Sequence, residues 1–289
     1  MAEDYYSTVG DIIKYTGVDY EKLDLSGKPA LESLIEKWLR EIASIINNNR
    51  KRNYIRDLDS GEEFPVEYCE EKWEADASGV TISLVENVDE DDDNIPTGEQ
   101  ISSNKISLGS GIMDSIILAH KDLDSDKQDL SEGKVLNFYI KSSVNVGIDE
   151  LEIELAEDEG CVNIKKTLTV PAFDEDEWRL FKRYLGRDST LNSIKSIGIK
   201  HVSGLAGADI YLGLFSILKI PEGIHNIAMR MCGNMVALAF SRRESAVIRV
   251  DDLSVKVAMD QILTSEIQKE LNNFPAKAKF RLMRVDTSD

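Results

Sequence analysis

The stretch 220-IPEGIHNIAMRMCGNMVALAFSRRES-245 decides how this chain is divided. Pro221 and Glu222 suit a first helical turn, where a missing N–H costs nothing and a carboxylate meets the positive end of the helix dipole. Ile224, Ile227, Ala228, Met231, Met235, Leu238 and Ala239 then recur on one face at helical spacing. A face so apolar has to be covered. The sequence just before it reads as strands, so the cover is sought further away.

One other large surface has a helical period: 29-PALESLIEKWLREIASIINNNRKRN-53. Leu31, Leu34, Ile35, Trp38, Leu39, Ile42, Ile45 and Ile46 share one face, and Glu32, Glu36, Lys37, Arg40 and Glu41 the other. A shorter helix over 8–16 is expected before it, capped by Ser7 or Thr8 and stopped at Gly17. Pairing the two long helices predicts a discontinuous helical domain, 1–56 with 220–289, and an inserted domain over 57–219. Leu34, Trp38, Ile42, Ile227, Met231 and Leu238 are its expected core. Three consecutive units instead would leave the first fifty residues with one long helix and little to bury it against. After 246-AVIRV an amphipathic helix is expected through about Leu271.

The middle segment has a different period. The runs 80-VTISLVE, 134-KVLNFYIK, 151-LEIELAE, 162-VNIKKTLTV and 194-IKSIGIKHV are strand-like, with 112-IMDSIILAH, 177-EWRLFKRYL and 208-ADIYLGLFSIL as further candidates. Roughly eight to nine strands, parted by Gly-, Asp- and Ser-rich turns, predict a jelly roll or β-sandwich. The fold class is therefore α+β multidomain: a helical bundle carrying an inserted all-β domain. The interval 89-DEDDDNIPTGEQ reads as a solvated loop.

Charge marks the same boundaries. The segment 57–219 holds 35 acidic and 15 basic residues, a net of −20, while the flanks hold 18 and 19, a net of +1. Such acidity excludes a nonspecific grip on nucleic acid by the whole surface. The start, MAEDYYSTVGD, has neither the basic end nor the apolar run of a secretory signal, and no run is long enough to span a bilayer. Cys69, Cys161 and Cys232 lack metal or redox spacing and read as buried free thiols of a protein made in a reducing cytosol.

Catalytic motifs are missing: there is no G-x-S-x-G and no H-E-x-x-H, so no enzyme is expected. His120, His201 and His225 are read as structural. The turn 108-LGSG-111 lacks the Lys and Ser/Thr of a phosphate loop. The run 122-DLDSDKQDLSEG opens like a calcium loop, but Lys127 stands where the sharp turn needs Gly and Gly133 where a bidentate Glu is needed. It reads as an acidic loop, and no metal ligands or cofactor are assigned.

Three segments, 9-VGDIIKYTGVD, 31-LESLIEKWLREIASIINNNRKRNY and 221-PEGIHNIAMRMCGNMVALAFSRRES, resemble the head–tail connector (adaptor) family of tailed bacteriophages. That resemblance implies a structural virion protein of the neck, made in the host cytoplasm. It would form a ring, dodecameric in the virion, between the portal protein above and a stopper or tail-completion protein below. DNA would thread the ring without specific binding, and no membrane is involved. The stretch 170-VPAFDEDEWRLFKRYLGRDSTLNSIKSIGIKHVSGLAGADIYLGLFSI resembles carbohydrate-binding-module jelly rolls, except that its closing IYLGLFSI lacks the carboxylates such strands carry. Jelly rolls of this type often hold a structural calcium, a point the residues leave open. The alternative function is therefore a carbohydrate-binding surface module, a virion decoration or a cell-surface adhesin, anchored by the helical flanks.

Two sets of residues bear on these readings. Lys277, Lys279, Arg281 and Arg284 alternate with Phe280, Leu282 and other apolar residues, the period of an extended strand. The tail is either a frayed terminus or an arm that adds to a partner; the connector resemblance implies a portal-binding arm made of Lys277, Lys279, Phe280, Arg281, Leu282 and Arg284. Sugar recognition would need exposed rings, for which Trp73, Trp178, Phe138, Tyr139, Tyr184 and Tyr211 are available, several of them expected in the core.

Overall fold

Strand-like runs of the middle segment pair into two antiparallel sheets over one shared apolar core. The computed structural model describes residues 5–17, 31–86, 95–96, 101–241, 261–274 and 276. Its strands are β1 (Glu62–Glu67), β2 (Glu74–Ala75), β3 (Val80–Val85), β4 (Ser103–Leu108), β5 (Ile116–Asp122) and β6 (Gly133–Ser142). They continue with β7 (Leu151–Ala156), β8 (Ile164–Thr169), β9 (Arg179–Tyr184), β10 (Ser196–His201) and β11 (Asp209–Lys219). The first sheet runs β3-β4-β11-β6-β9, and β1 joins the far half of the long β11, beyond β4. The second sheet runs β2-β5-β10-β7-β8.

The described chain is thus mostly an antiparallel β-sandwich with a few helices. Ile106, Phe138, Ile140 and Phe215 of the first sheet and Leu118, Ile153, Ile197 and Ile199 of the second belong to a single buried cluster. Phe138 stacks on Phe215 at 5.5 Å, and Trp73 lies 5.6 Å from the same Phe215 ring. All eight strand-like runs read from the sequence contain a strand. Three strands were not expected, and each departs from the simple apolar alternation. In β4 the buried positions include Ser103 and Asn104, and the Asn104 amide bonds Cys69 O, Glu71 O and Trp73 N at 2.9 Å each. In β1, Pro65 is tolerated because the strand pairs on one side only, and the ladder shifts between Pro65 and Glu67. β2 is only two residues long.

The entry and exit of the sandwich are strand neighbours, since Glu62 pairs with Lys219. Lys134, fully buried, donates to the Ser60 carbonyl beside them. Such adjacent ends allow a domain to interrupt another chain at a surface loop.

By its contacts the chain divides into two compact units: one holds 58–220, the other 4–57 with 221–289. The second unit contains α1 (Val9–Thr16), α2 (Leu31–Arg50), α3 (Glu222–Ser241) and α4 (Ser265–Leu271). α1 starts with a reciprocal capping box between Thr8 and Asp11 and stops at Gly17, φ 64°, where the left-handed conformation is free of a Cβ clash. α2 ends at Arg50, within the basic run Arg50-Lys51-Arg52, and Lys51 after it is left-handed at φ 52°. Trp38, Ile42, Ile227 and Met231 are buried, while Leu34 and Leu238 are half-buried. α3 lies against both α1 and α2. Polar ties join the two parts of the unit: Asn49 to Gln268 and Arg50 to Asn272, each 3.0 Å, and His225 Nδ1 to Tyr6 O, 2.8 Å. Arg230 closes α3 onto α4 through Glu270, 2.6 Å. No described helix is long and apolar enough to cross a membrane.

Candidate functional site

Strand alternation sorts the first sheet into a core face and an outer face. Along β6, Leu136, Phe138 and Ile140 enter the core, so Asn137, Tyr139 and Lys141 take the outer face. Along β4, Ile106 enters the core and Lys105 does not. β11 needs a correction in mid-strand. Leu212 pairs with Ile140 and Phe215 with Phe138, so one extra residue is absorbed in a bulge at 213–214. Without that bulge Tyr211 and Phe215 would share a face. With it, Tyr211 faces out and Phe215 faces in. Gly213 has a second task there: a Cβ at that position would collide with Pro96 Cγ, so only glycine lets the ring of Pro96 rest on the strand beside Tyr139.

Register then assembles one row across four neighbouring segments. Lys105 of β4 pairs with Tyr211 of β11, and Tyr211 with Lys141 of β6. Trp178, just before β9, completes the row. Its ring meets Tyr211 edge-on at 6.4 Å and 71°. The Lys141 ammonium lies 4.8 Å from the Tyr211 ring centre and 5.5 Å from that of Trp178. The Lys105 ammonium lies 5.5 Å from the same Tyr211 ring and 2.8 Å from the Asp209 carboxylate. That hydrogen bond raises the Lys105 pKa. Burial pushes the Asp209 carboxyl up, but Lys105 and Ser107 outweigh it and leave the group below its ordinary value.

Of the six aromatics weighed for sugar contact, Trp73 and Phe138 are core residues. Trp178, Tyr139 and Tyr211 are half-buried, and Tyr184 is exposed. By alternation all four fall on the outer face of the first sheet. Chemically this face offers π surfaces, three phenols, an indole and lysine ammonium groups, the groups that hold a polar ring of sugar size. Lys105 and Lys141 were not singled out from the sequence. The available signal was the alternation of 134-KVLNFYIK, which puts Lys141 on the same side as Tyr139.

The middle of the outer face of the second sheet is covered by the loop that carries Cys161. Cys161 Sγ would sit 2.5 Å from a Cβ at Gly198, and Glu154 and His120 on neighbouring strands are almost wholly buried. His120 is held by Asp76 at 2.8 Å, with Glu74 and Asp122 both 3.9 Å from its other nitrogen. His201 bonds Met113 O at 2.9 Å, and His225 bonds Tyr6 O. Burial pushes the thiols of Cys161 and Cys232 up to about 12 and that of Cys69 well above its usual value, so all three are unreactive as nucleophiles. The acidic turn at 122–133 is held by its own side chains, with Lys127 on Asp124 and Ser131 on Asp129. Among the described residues no group of three or more side chains is placed to hold a metal ion.

The portal-arm residues Lys277, Lys279, Phe280, Arg281, Leu282 and Arg284 lie outside the described residues, as do 242–260 and most of the acidic interval after Glu86.

No family model and no curated protein matches the chain. Solved structures do. A family 11 carbohydrate-binding module from Clostridium thermocellum, in complex with a beta-1,3-1,4-mixed-linked tetrasaccharide, is 15% identical over 56% of this chain and 99% of its own, with a TM-score of 0.37. The xylan-binding domain from Paenibacillus barcinonensis is 14% identical over 56% of this chain and 97% of its own, TM-score 0.36. A family 29 module complexed with cellulohexaose is 12% identical over 56% and 94%, TM-score 0.33.

This finding corrects the function expected from the flanks. The similar structures are carbohydrate-binding modules, and the head–tail connector function is not retained. The portal, the stopper, the ring and the neck were implications of the connector resemblance alone.

Proposed function

We propose that the chain is a non-catalytic carbohydrate-binding protein whose sandwich, 58–220, takes a glycan on the outer face of its six-stranded sheet. One observation carries the reading. Trp178, Tyr139, Tyr184 and Tyr211, none of them in the core cluster, gather on that single face, with Lys141 set among them. Exposed rings cost free energy in water, and a sugar's C–H face repays it while its hydroxyls bond nearby polar groups. In the same reading α1, α2, α3 and α4 form a self-standing bundle into which the sandwich is inserted, and which serves as its mount.

The test is retention on a panel of immobilised neutral and acidic polysaccharides, followed by calorimetric titration of the glycan retained. Trp178→Ala, which opens no hole in the core cluster, is expected to weaken binding about tenfold, the weight of one aromatic contact. Failure of the full chain to bind any glycan in the panel would overturn the proposal.

A further inference from the structure

Among the described residues, β1, β2, β3, β8 and β9 pair on one side only. A strand with an unpaired side is a template for another strand, and sequences usually guard it with charge, proline or a bulge. All but one of these strands are guarded or too short to serve. β9 carries Arg179, Lys182 and Arg183. β8 carries Lys165 and Lys166, and Lys166 reaches back to the Leu185 carbonyl at 2.7 Å. β1 holds Pro65 and a shift of register after it, and β2 is two residues long. The exception is β3, 80-VTISLV-85. It has no charge, no proline and no glycine, and its register against β4 is unbroken from Val80 to Val85.

The hydrogen-bond pattern fixes which groups that edge presents. The Leu108 N–H donates to Ala208 O at 2.9 Å, on the β11 side, so its neighbour Ser107 turns to β3 and pairs there with Thr81. Alternation then sends Thr81, Ser83 and Val85 into the ladder with β4, and the N–H and C=O groups of Val80, Ile82 and Leu84 away from it. The Val80 N–H closes on Ala77 O at 3.2 Å, and among the described residues the outward groups of Ile82 and Leu84 meet no backbone partner. The Leu84 side chain, on the same side of the strand as Ile82, is 40% exposed. Thr81 and Ser83, on the other side, are exposed as well.

We propose that β3 accepts an added strand from a partner protein, an extended segment whose residues alternate between apolar and basic. The backbone of Ile82 and Leu84 pairs with it, its apolar residues cover Leu84, and its basic residues lie beside Thr81 and Ser83. Charge dictates the basic residues: the segment 57–219 has a net charge of −20, and 89-DEDDD follows the strand in sequence. The same charge opposes a second copy adding there through its own β3.

The probes are three octapeptides, alternating lysine with valine, lysine with serine and glutamate with valine, titrated into the full chain by fluorescence anisotropy at physiological salt. The lysine–valine peptide is expected to bind about tenfold more tightly than either control, since strand addition needs both the backbone bonds and the apolar cover. On binding, hydrogen exchange is expected to slow at the amides of Ile82 and Leu84 and to stay as it was at Ser83, whose N–H is already in the ladder. Leu84→Pro removes an N–H that the ladder does not use, so it is expected to fold, as thermal melting reports, and to lose the preference. Lysine–serine binding as tight as lysine–valine would mean charge alone and overturns the proposal, as does equal binding of the glutamate–valine peptide or binding of none. Self-association of the full chain that Leu84→Pro abolishes makes a second copy the occupant and overturns the basic partner. If Leu84→Pro unfolds, the exchange pattern of the unaltered chain decides.

Discussion

Replacing Met231 by Ala tests whether the helical residues fold as a unit of their own. Met231 is fully buried on α3, which packs against α1, α2 and α4. Truncating a buried Met to Ala removes its transfer free energy and leaves a cavity, together about 2–5 kcal/mol. For a unit of this size about 1 kcal/mol shifts the melting temperature by roughly 4 °C, so a loss of about 3 kcal/mol lowers it by roughly 12 °C. The two compact units predict two transitions in scanning calorimetry. The one accompanied by loss of helical ellipticity at 222 nm should move down, and the other, which belongs to the sandwich, should stay within about 1 °C. A single transition that shifts as a whole refutes independent folding of the helical unit. Two transitions with neither displaced refute the claim that Met231 lies in a close-packed core.

Gly198→Ala places a methyl 2.5 Å from Cys161 Sγ, inside the loop that covers the middle of the second sheet. It is expected to destabilise the sandwich by about 1–3 kcal/mol, read as a lower urea midpoint, and Cys161→Ala in the same chain should recover most of that loss. Asp11 supplies a pH test. Burial pushes its carboxyl up, but the hydroxyl and backbone N–H of Thr8, with the nearby His225, bring it below its ordinary value. A depressed folded pKa means stability that is fully present above the unfolded value, about 3.9, and is lost as pH falls through the folded one. The helical transition should therefore weaken below about pH 4, and Asp11→Asn should be less stable than the unaltered chain at pH 7 but converge with it in acid; a constant difference across that range would refute the capping argument.

How much of the molecule the sequence disclosed varied with how local each signal was. α1 was legible because both of its ends are written in adjacent residues, Thr8 with Asp11 at one and Gly17 at the other. α2 and α3 were legible from a stripe several turns long, and α2 ends at Arg50, within its basic run, with Lys51 left-handed after it. β4 was illegible because Asn104 spends a buried position on hydrogen bonds to the 69–73 segment, a use that hydropathy patterns read as exposure. The phage-neck function failed for a related reason. Apolar stripes on helices report that a face is covered and are shared by unrelated proteins, so they say little about what the assembled surface does.

The binding face lay still further from the linear pattern. Lys105, Lys141, Trp178 and Tyr211 are each more than thirty positions from the next, and no spacing rule joins them. What joins them is the order β4-β11-β6-β9, in which the last of the described strands is inserted between two earlier ones. Even that order would have failed without the bulge at 213–214, because a regular β11 that buries Phe215 would also turn Tyr211 into the core. The aromatic residues could be enumerated from the sequence, but the difference between core and face turns on one additional residue in one strand. A deletion of Leu214 would remove that residue. It is expected to force β11 to choose between burying Phe215 and exposing Tyr211, so that a chain which still folds through Phe215 loses glycan affinity while keeping its sandwich. Retained affinity in a folded deletion variant would mean that the face is built some other way.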